Sequence, residues 1–124
     1  MKLLKLWFPV LFWCWLIFYI SGISSLETPW GLWDFVLRKI SHITEYFILT
    51  LLLYRAFKGT FIPSRLNLFF WPGALSILYA VSDEIHQYFV PTRGPSLEDV
   101  LIDCAGIIIF YVSLKYLKKF IRKL

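Results

Sequence analysis

Three stretches of the chain place histidine and carboxylate side chains at the spacing that brings them to one face of a helix. In each stretch two titratable residues are three or four positions apart, which in an α-helix puts both on the same side. The pairs are His42 and Glu45, Asp83 and His86, and Asp99 and Asp103. Groups of this kind can bind a polar ligand, transfer protons or coordinate a metal ion.

The chain that carries these residues is too apolar for a soluble domain. Hydrophobic residues make up 59% of its 124 residues and charged residues 17%, and the mean hydropathy is +0.67. Soluble domains have about 45–50% apolar and about 25% charged residues. A chain of this length cannot bury so much apolar surface in its own core, and such a composition also excludes intrinsic disorder. The composition therefore predicts an integral protein of the cell membrane.

Four apolar runs predict an all-α fold, a polytopic bundle of four transmembrane helices with short loops in a single domain (residues 1–124). The predicted spans are about 6–23, 40–55, 66–86 and 98–115. The first run follows a basic start that resembles a signal peptide. Its length exceeds that of a signal-peptide core, so it is interpreted as an uncleaved anchor. The segment Ser24–Lys39 is predicted to form a short helix at the outer membrane interface.

Basic residues indicate the orientation of this bundle. Ten of the 13 Lys and Arg residues fall at the termini and in the loop between the second and third spans, and three fall on the other side. The positive-inside rule therefore predicts cytoplasmic N- and C-termini, which leaves all eight acidic residues on the outer side. The basic C-terminal tail is predicted to contact anionic lipid, and no nucleic-acid partner is expected.

Two blocks of residues also carry a family resemblance. They are Lys39-Ile40-Ser41-His42 with Glu45-Tyr46, and Ser82-Asp83-Glu84-Ile85-His86-Gln87-Tyr88-Phe89-Val90-Pro91 followed by Arg93, Ser96, Asp99, Val100, Asp103 and Gly106. Together they closely resemble the signature of VanZ-like membrane proteins. The founding VanZ protein is associated with low-level resistance to teicoplanin, a lipidated glycopeptide antibiotic. The resemblance thus implies a role in antibiotic resistance or at the cell envelope.

Carried over by position, the resemblance implies nine polar residues as a candidate ligand-binding site, called the predicted site here. Its members are His42, Glu45, Asp83, Glu84, His86, Gln87, Arg93, Asp99 and Asp103. The arrangement of the spans brings these residues to the outer face of the bundle. Gly106 continues the face of Asp99 and Asp103 and is expected to let two helices approach closely.

Three interpretations of the predicted site remain open from the sequence. The favoured one is a binding or shielding module for a lipoglycopeptide antibiotic or a lipid-linked cell-wall precursor at the lipid bilayer. The second is a membrane-embedded enzyme, metal- or carboxylate-dependent, that modifies such a lipid. The third is a polar network that only fixes helix packing. No established metal-binding or catalytic sequence pattern is present, so no metal site, catalytic residue or cofactor is assigned.

Overall fold

Four α-helices form the part of the chain that the computed structural model describes, which comprises residues 2–21, 31–61, 64–89 and 97–122. The helices are α1 (Lys2–Ser21), α2 (Gly31–Thr60), α3 (Arg65–Tyr88) and α4 (Leu97–Arg122). Within those residues there is no β-strand, and the all-α prediction is confirmed.

Helix α2 is much longer than the apolar run from which it was predicted. It extends over 30 residues, and no proline occurs within it to end the helix at the edge of the apolar run. The prediction of a separate interfacial helix over Ser24–Lys39 is therefore wrong for Gly31–Lys39, which is the first part of α2. Residues 22–30 lie outside the described residues. The polar residues at the start of α2 are thus held on the same rigid element as its apolar centre.

Two of the helices are long and apolar enough to cross a membrane. Their apolar windows, Leu3–Ile20 in α1 and Asp99–Lys118 in α4, both have a mean hydropathy of 1.9. Only 11% and 22% of these windows are buried inside the protein. On α1 the exposed rings of Phe8, Phe12 and Trp15 follow one another along the helix surface. Apolar surface of this extent is unfavourable in water and is typical of a membrane protein.

Helix α2 lies at the centre of the arrangement. It packs against each of the other three helices, whereas α1 and α4 do not contact each other within the described residues. Near the start of α1, Trp7 Nε1 donates a 2.7 Å hydrogen bond to Thr60 Oγ1 at the end of α2, so these two helices are antiparallel. His42 early in α2 contacts Asp103 early in α4, so α2 and α4 are parallel.

This topology separates acidic and basic residues along the bundle. One end of the bundle is called the acidic end here and is formed by the first half of α2, the start of α4 and the last turns of α3. Its carboxylates with described side chains are Glu45, Asp83, Glu84, Asp99 and Asp103. The opposite end is called the basic end, and its cations with described side chains are Lys5, Arg55, Lys58, Lys115 and Lys118. The chain has no Asp or Glu in residues 1–26, 46–82 or 104–124. The polar site predicted from sequence therefore lies at the acidic end.

The interior of the bundle combines apolar and hydroxyl side chains. Ile17 and Leu49 are fully buried between α1 and α2, and Thr50 and Ser76 are equally buried between α2 and α3. Thr50 Oγ1 donates to the carbonyl of Tyr46 over 2.7 Å and lies 2.9 Å from Ser76 Oγ. Because both hydroxyls are hydrogen-bonded, they link the two helices without an unpaired buried polar group.

Gly106 permits a close approach between α2 and α4. A Cβ atom at this glycine would overlap the backbone oxygen of Ile43. Backbone atoms cannot rotate away as a side-chain terminus can, so any larger residue would push the helices apart. The close approach predicted from the sequence is confirmed, and it holds the acidic residues of α4 against those of α2.

A tyrosine of α4 is inserted into the backbone of α3 next to a proline. Pro72 lies inside α3 and has no N–H to donate. At the next residue, the Gly73 N–H donates to the Tyr111 hydroxyl over 2.8 Å, and that hydroxyl donates to the Phe69 carbonyl over 2.5 Å. Gly73 leaves room for this contact, because a Cβ there would lie 2.7 Å from the same oxygen. The hydroxyl therefore joins the two helices where the proline weakens the helical hydrogen bonding.

We expect Tyr111→Phe to lower the free energy of unfolding by about 1 kcal/mol, because it removes one hydroxyl that makes two hydrogen bonds. The measurement is the thermal midpoint of the purified protein in detergent. Tyr116→Phe is the matched control, since Tyr116 is on the same helix and is 67% exposed. An equal shift in both variants would contradict the bridging role of Tyr111.

Candidate functional site

Two polar pairs join the first half of α2 to the first two turns of α4. Lys39 Nζ lies 3.0 Å from Asp99 Oδ1, and His42 Nδ1 lies 2.8 Å from Asp103 Oδ1. The histidine and aspartate of the second pair are 5% and 2% exposed. Because the two helices are parallel, a spacing of three residues on α2 matches one of four residues on α4. The pairs therefore occupy successive turns, and the second one is deeper in the bundle.

Three more carboxylates lie around these pairs. Glu45 and Asp83 are buried, and Ser41 Oγ donates to Glu45 Oε1 over 3.2 Å. Glu84 is half-buried and lies close enough to Asp83, Asp99 and Asp103 to interact electrostatically with each of them. Although positions 83 and 84 are about 100° apart around α3, Asp83 and Glu84 both interact electrostatically with Asp103. We call this group of residues the polar cluster: Lys39, His42, Glu45, Asp83, Glu84, Asp99 and Asp103.

Tyr46 lies directly beneath the polar cluster on α2. Its side chain is fully buried, and its ring centroid is 6.4 Å from that of Tyr79 on α3. The charges of Asp83 and Asp103 act on it electrostatically. Its hydroxyl has no hydrogen-bond partner in the described part of the chain. A buried hydroxyl in this state costs free energy, so Tyr46 can donate to or accept from a group that enters the cluster.

The structure places the ring of His86, another member of the predicted site, against α1. Its ring stacks on Phe18 of α1, with a centroid distance of 4.1 Å and an interplanar angle of 24°. His86 Nδ1 is buried and has no hydrogen-bond partner among the described residues. Position 86 is rotated by about 60° from position 83 around α3, and at this rotation the His86 ring contacts α1. Of the two histidines, only His42 therefore pairs with a carboxylate in the described part of the chain.

Two further residues of the predicted site are not described in full. Arg93 lies outside the described residues, and so does the side chain of Gln87, whose backbone belongs to α3. The other predicted members, apart from His86, come together in the polar cluster. Their role in binding a ligand stays a prediction.

Lys39 and Tyr46 were not among the predicted site residues, although both belong to the block that resembles VanZ-like proteins. A signal for each was present in the sequence. Lys39 precedes His42 by three positions and Tyr46 follows it by four, so all three share one face of α2. From the sequence, Lys39 contributes only to the count of basic residues on the outer side, and the partners of Lys39 and Tyr46 on α4 and α3 are distant in sequence.

The arrangement favours binding of a group that carries hydrogen-bond donors or positive charge. The polar cluster contains five carboxylates, one lysine and one histidine. Within the residues whose side chains are described, no three His, Cys, Asp or Glu side chains are placed so that they could hold a metal ion. Carboxylates accept hydrogen bonds, and those to charged donors are the strongest.

A comparison with protein families shows which family the chain belongs to. The family model described as VanZ/LLP1 matches residues 6–119, which include every member of the polar cluster and all but the outermost residues of α1 and α4. No curated protein and no solved structure matches the chain. Since the match extends over most of the sequence and covers both blocks, the chain belongs to the VanZ/LLP1 family.

Proposed function

We propose that all four helices cross the membrane, with the acidic end at the outer face and both termini in the cytoplasm. Support comes from the apolar, outward-facing surfaces of α1 and α4 and from the excess of Lys and Arg at the basic end. Helix α2, at 30 residues, and α3, at 24 residues, are long enough to cross a bilayer. Lys115 and Lys118 are exposed on α4 and would lie near anionic head groups, as expected for the C-terminal tail.

In this orientation the polar cluster serves as a binding site for the head group of an amphiphile in the outer leaflet. The ligand is a lipoglycopeptide antibiotic or a lipid-linked precursor of the cell envelope, and binding shields the cell or holds the precursor. The observation that carries this proposal is the convergence of five carboxylates from α2, α3 and α4 at one end of an apolar bundle.

The acceptor groups of the polar cluster specify the ligand further. Carboxylate oxygens accept hydrogen bonds, and those from charged donors are the strongest. An amino group on the ligand would supply a positive charge and up to three hydrogen-bond donors. The apolar surface around the acidic end would contact the ligand's lipid chain. We therefore expect the ligand to combine an amine-bearing polar part with a hydrocarbon chain.

Packing alone accounts poorly for the composition of the cluster. Each charged residue inside a membrane span costs about 2.5–3.5 kcal/mol on insertion scales, whereas a polar contact between helices returns about 0.6–2 kcal/mol. Apolar residues of similar volume would hold α2, α3 and α4 together at lower cost. A set of five carboxylates is thus better explained by a ligand than by helix packing.

We expect Asp83→Asn to abolish protection against teicoplanin while leaving membrane abundance unchanged. The change removes one buried charge and keeps the shape of the side chain. The measurement is the susceptibility of a host that carries wild type, the variant or an empty vector, with membrane levels matched. Vancomycin is the comparison antibiotic because it lacks the lipid chain. Lys58→Gln, an exposed change at the basic end, is the control variant and should protect like wild type.

The other outcomes discriminate between the alternatives. Protection by both wild type and Asp83→Asn would indicate that the polar cluster serves only helix packing. Loss of the Asp83→Asn protein from the membrane would indicate the same. No protection by wild type would contradict a lipoglycopeptide as ligand. The lipid-linked precursor would then be tested by its retention on the purified protein. A chemically altered precursor in that experiment would establish the enzymatic alternative.

A further inference from the structure

An open groove of about 540 Å³ lies between α1 and α2 at the basic end. It is lined by Leu4, Lys5, Phe8 and Pro9 of α1 and by Arg55 of α2. The groove is at the end of the bundle opposite the polar cluster, so it is independent of the function proposed above. We propose that it binds one anionic phospholipid, with the lipid phosphate between Lys5 and Arg55 and an acyl chain along the apolar wall.

The charges of the groove favour an anion. Lys5 and Arg55 are both exposed and come from different helices, so the fold brings them together. The segments that form this end of the bundle contain no acidic residue, since Asp and Glu are absent from residues 1–26, 46–82 and 104–124. An arginine guanidinium can hold two phosphate oxygens at once, and a lysine ammonium adds a compact point charge.

The apolar wall specifies a lipid instead of a free anion. Leu4 is 64% exposed and Phe8 is 59% exposed, and both belong to the apolar window of α1. A small inorganic anion would leave this surface uncovered, whereas an acyl chain would cover it and gain the free energy of apolar burial. The combination of two cations with an adjoining apolar surface is typical of a phospholipid site at the membrane interface.

Trp7 and Thr60 hold the two walls of the groove in a fixed relation. Their 2.7 Å hydrogen bond joins α1 and α2 next to the lining residues, and the Trp7 ring packs edge-to-face on Phe57 at 5.6 Å. Leu6 is buried against Gly59 on the same side. The helix backbones that carry the two cations are therefore held in place by packing, which reduces the entropy lost when a lipid binds.

The proposal is tested by titrating the purified full-length chain with phosphatidylglycerol and counting bound lipids by native mass spectrometry. We expect one saturable site, with affinity reduced about fivefold by Lys5→Gln or Arg55→Gln and about 25-fold by the double change. Lys5→Arg should keep the wild-type affinity. Lys115→Gln, an equal loss of charge on the exposed surface of α4, should leave that site unchanged.

Two comparison ligands separate a lipid site from general charge attraction. Phosphatidylcholine, which has no net charge, and inorganic phosphate, which has no acyl chain, should both bind more weakly than phosphatidylglycerol. An equal loss of affinity in Lys115→Gln would overturn the proposal in favour of diffuse attraction. Equal binding of inorganic phosphate would overturn it in favour of a simple anion site. Both groove cations are exposed, and unchanged helix content by circular dichroism in each variant confirms that folding is intact.

Discussion

Replacing His42 with leucine is expected to lower the free energy of unfolding by about 3–5 kcal/mol, because the change leaves the Asp103 carboxylate buried without its partner. Asp103 is 2% exposed and cannot recover its hydration by a small movement. The measurement is the thermal midpoint of the purified protein together with its abundance in the membrane. Asp103→Leu should be less harmful, because a histidine can become neutral and a lone buried carboxylate is costlier to accommodate.

The double variant His42→Leu/Asp103→Leu separates the two roles of this pair. Replacement of both members by apolar residues should restore most of the lost stability, since neither member is then left buried without the other. If the polar cluster binds a ligand, the double variant will accumulate in the membrane and still fail to protect against teicoplanin. Restored protection along with restored abundance would show that the pair acts only in helix packing.

Replacing Gly106 with alanine is expected to reduce stability by about 1–3 kcal/mol, because the new Cβ would overlap the backbone oxygen of Ile43. Elsewhere in a helix the same change is favourable by about 1 kcal/mol. Relief of the overlap requires α2 and α4 to separate, which also lengthens the contact between His42 and Asp103. We therefore expect a loss of thermal stability in this variant and, if the proposed function holds, a loss of protection against teicoplanin.

Gly59 provides the matched control for Gly106. A Cβ at Gly59 would approach only the end of the Leu6 side chain, at 2.6 Å from Cδ1, and a leucine terminus can rotate aside. Gly59→Ala should thus leave stability unchanged or raise it, measured by the same thermal midpoint. Equal destabilisation by both variants would mean that α2 and α4 are not held by the contact at Gly106.

These two predictions concern one structural relation, the parallel packing of α2 on α4. The close approach at Gly106 lies one turn below the His42–Asp103 pair and fixes the distance across which the polar residues meet. Tyr111 further along α4 ties that helix to α3 at Gly73, and α3 in turn carries Asp83. The acidic residues are therefore positioned by two contacts farther from the acidic end. One is the backbone contact at Gly106, and the other is made by the Tyr111 hydroxyl.

Several features of this protein could be predicted from the amino-acid sequence. The four helices follow from four long apolar runs, and the grouping of carboxylates at one end follows from their absence between positions 46 and 82. The family was identified from residues at fixed spacing, and its match over residues 6–119 agrees with that identification. All of these depend on local composition and on residues that are close in the chain, where helix geometry fixes which side chains share a face.

The partners of each polar side chain were decided only by the tertiary structure. His86 shares a spacing pattern with His42, yet it stacks on Phe18 while His42 pairs with Asp103. Lys39, which the sequence places among the three basic residues of the outer side, contacts Asp99, 60 residues away in sequence. The rotation and axial register of one helix against another depend on packing between distant segments, such as the contact of Gly106 with α2. On α3 a rotation of about 60° separates Asp83, in the polar cluster, from His86, which contacts α1. The sequence of a single helix does not determine which neighbouring helix each side chain meets.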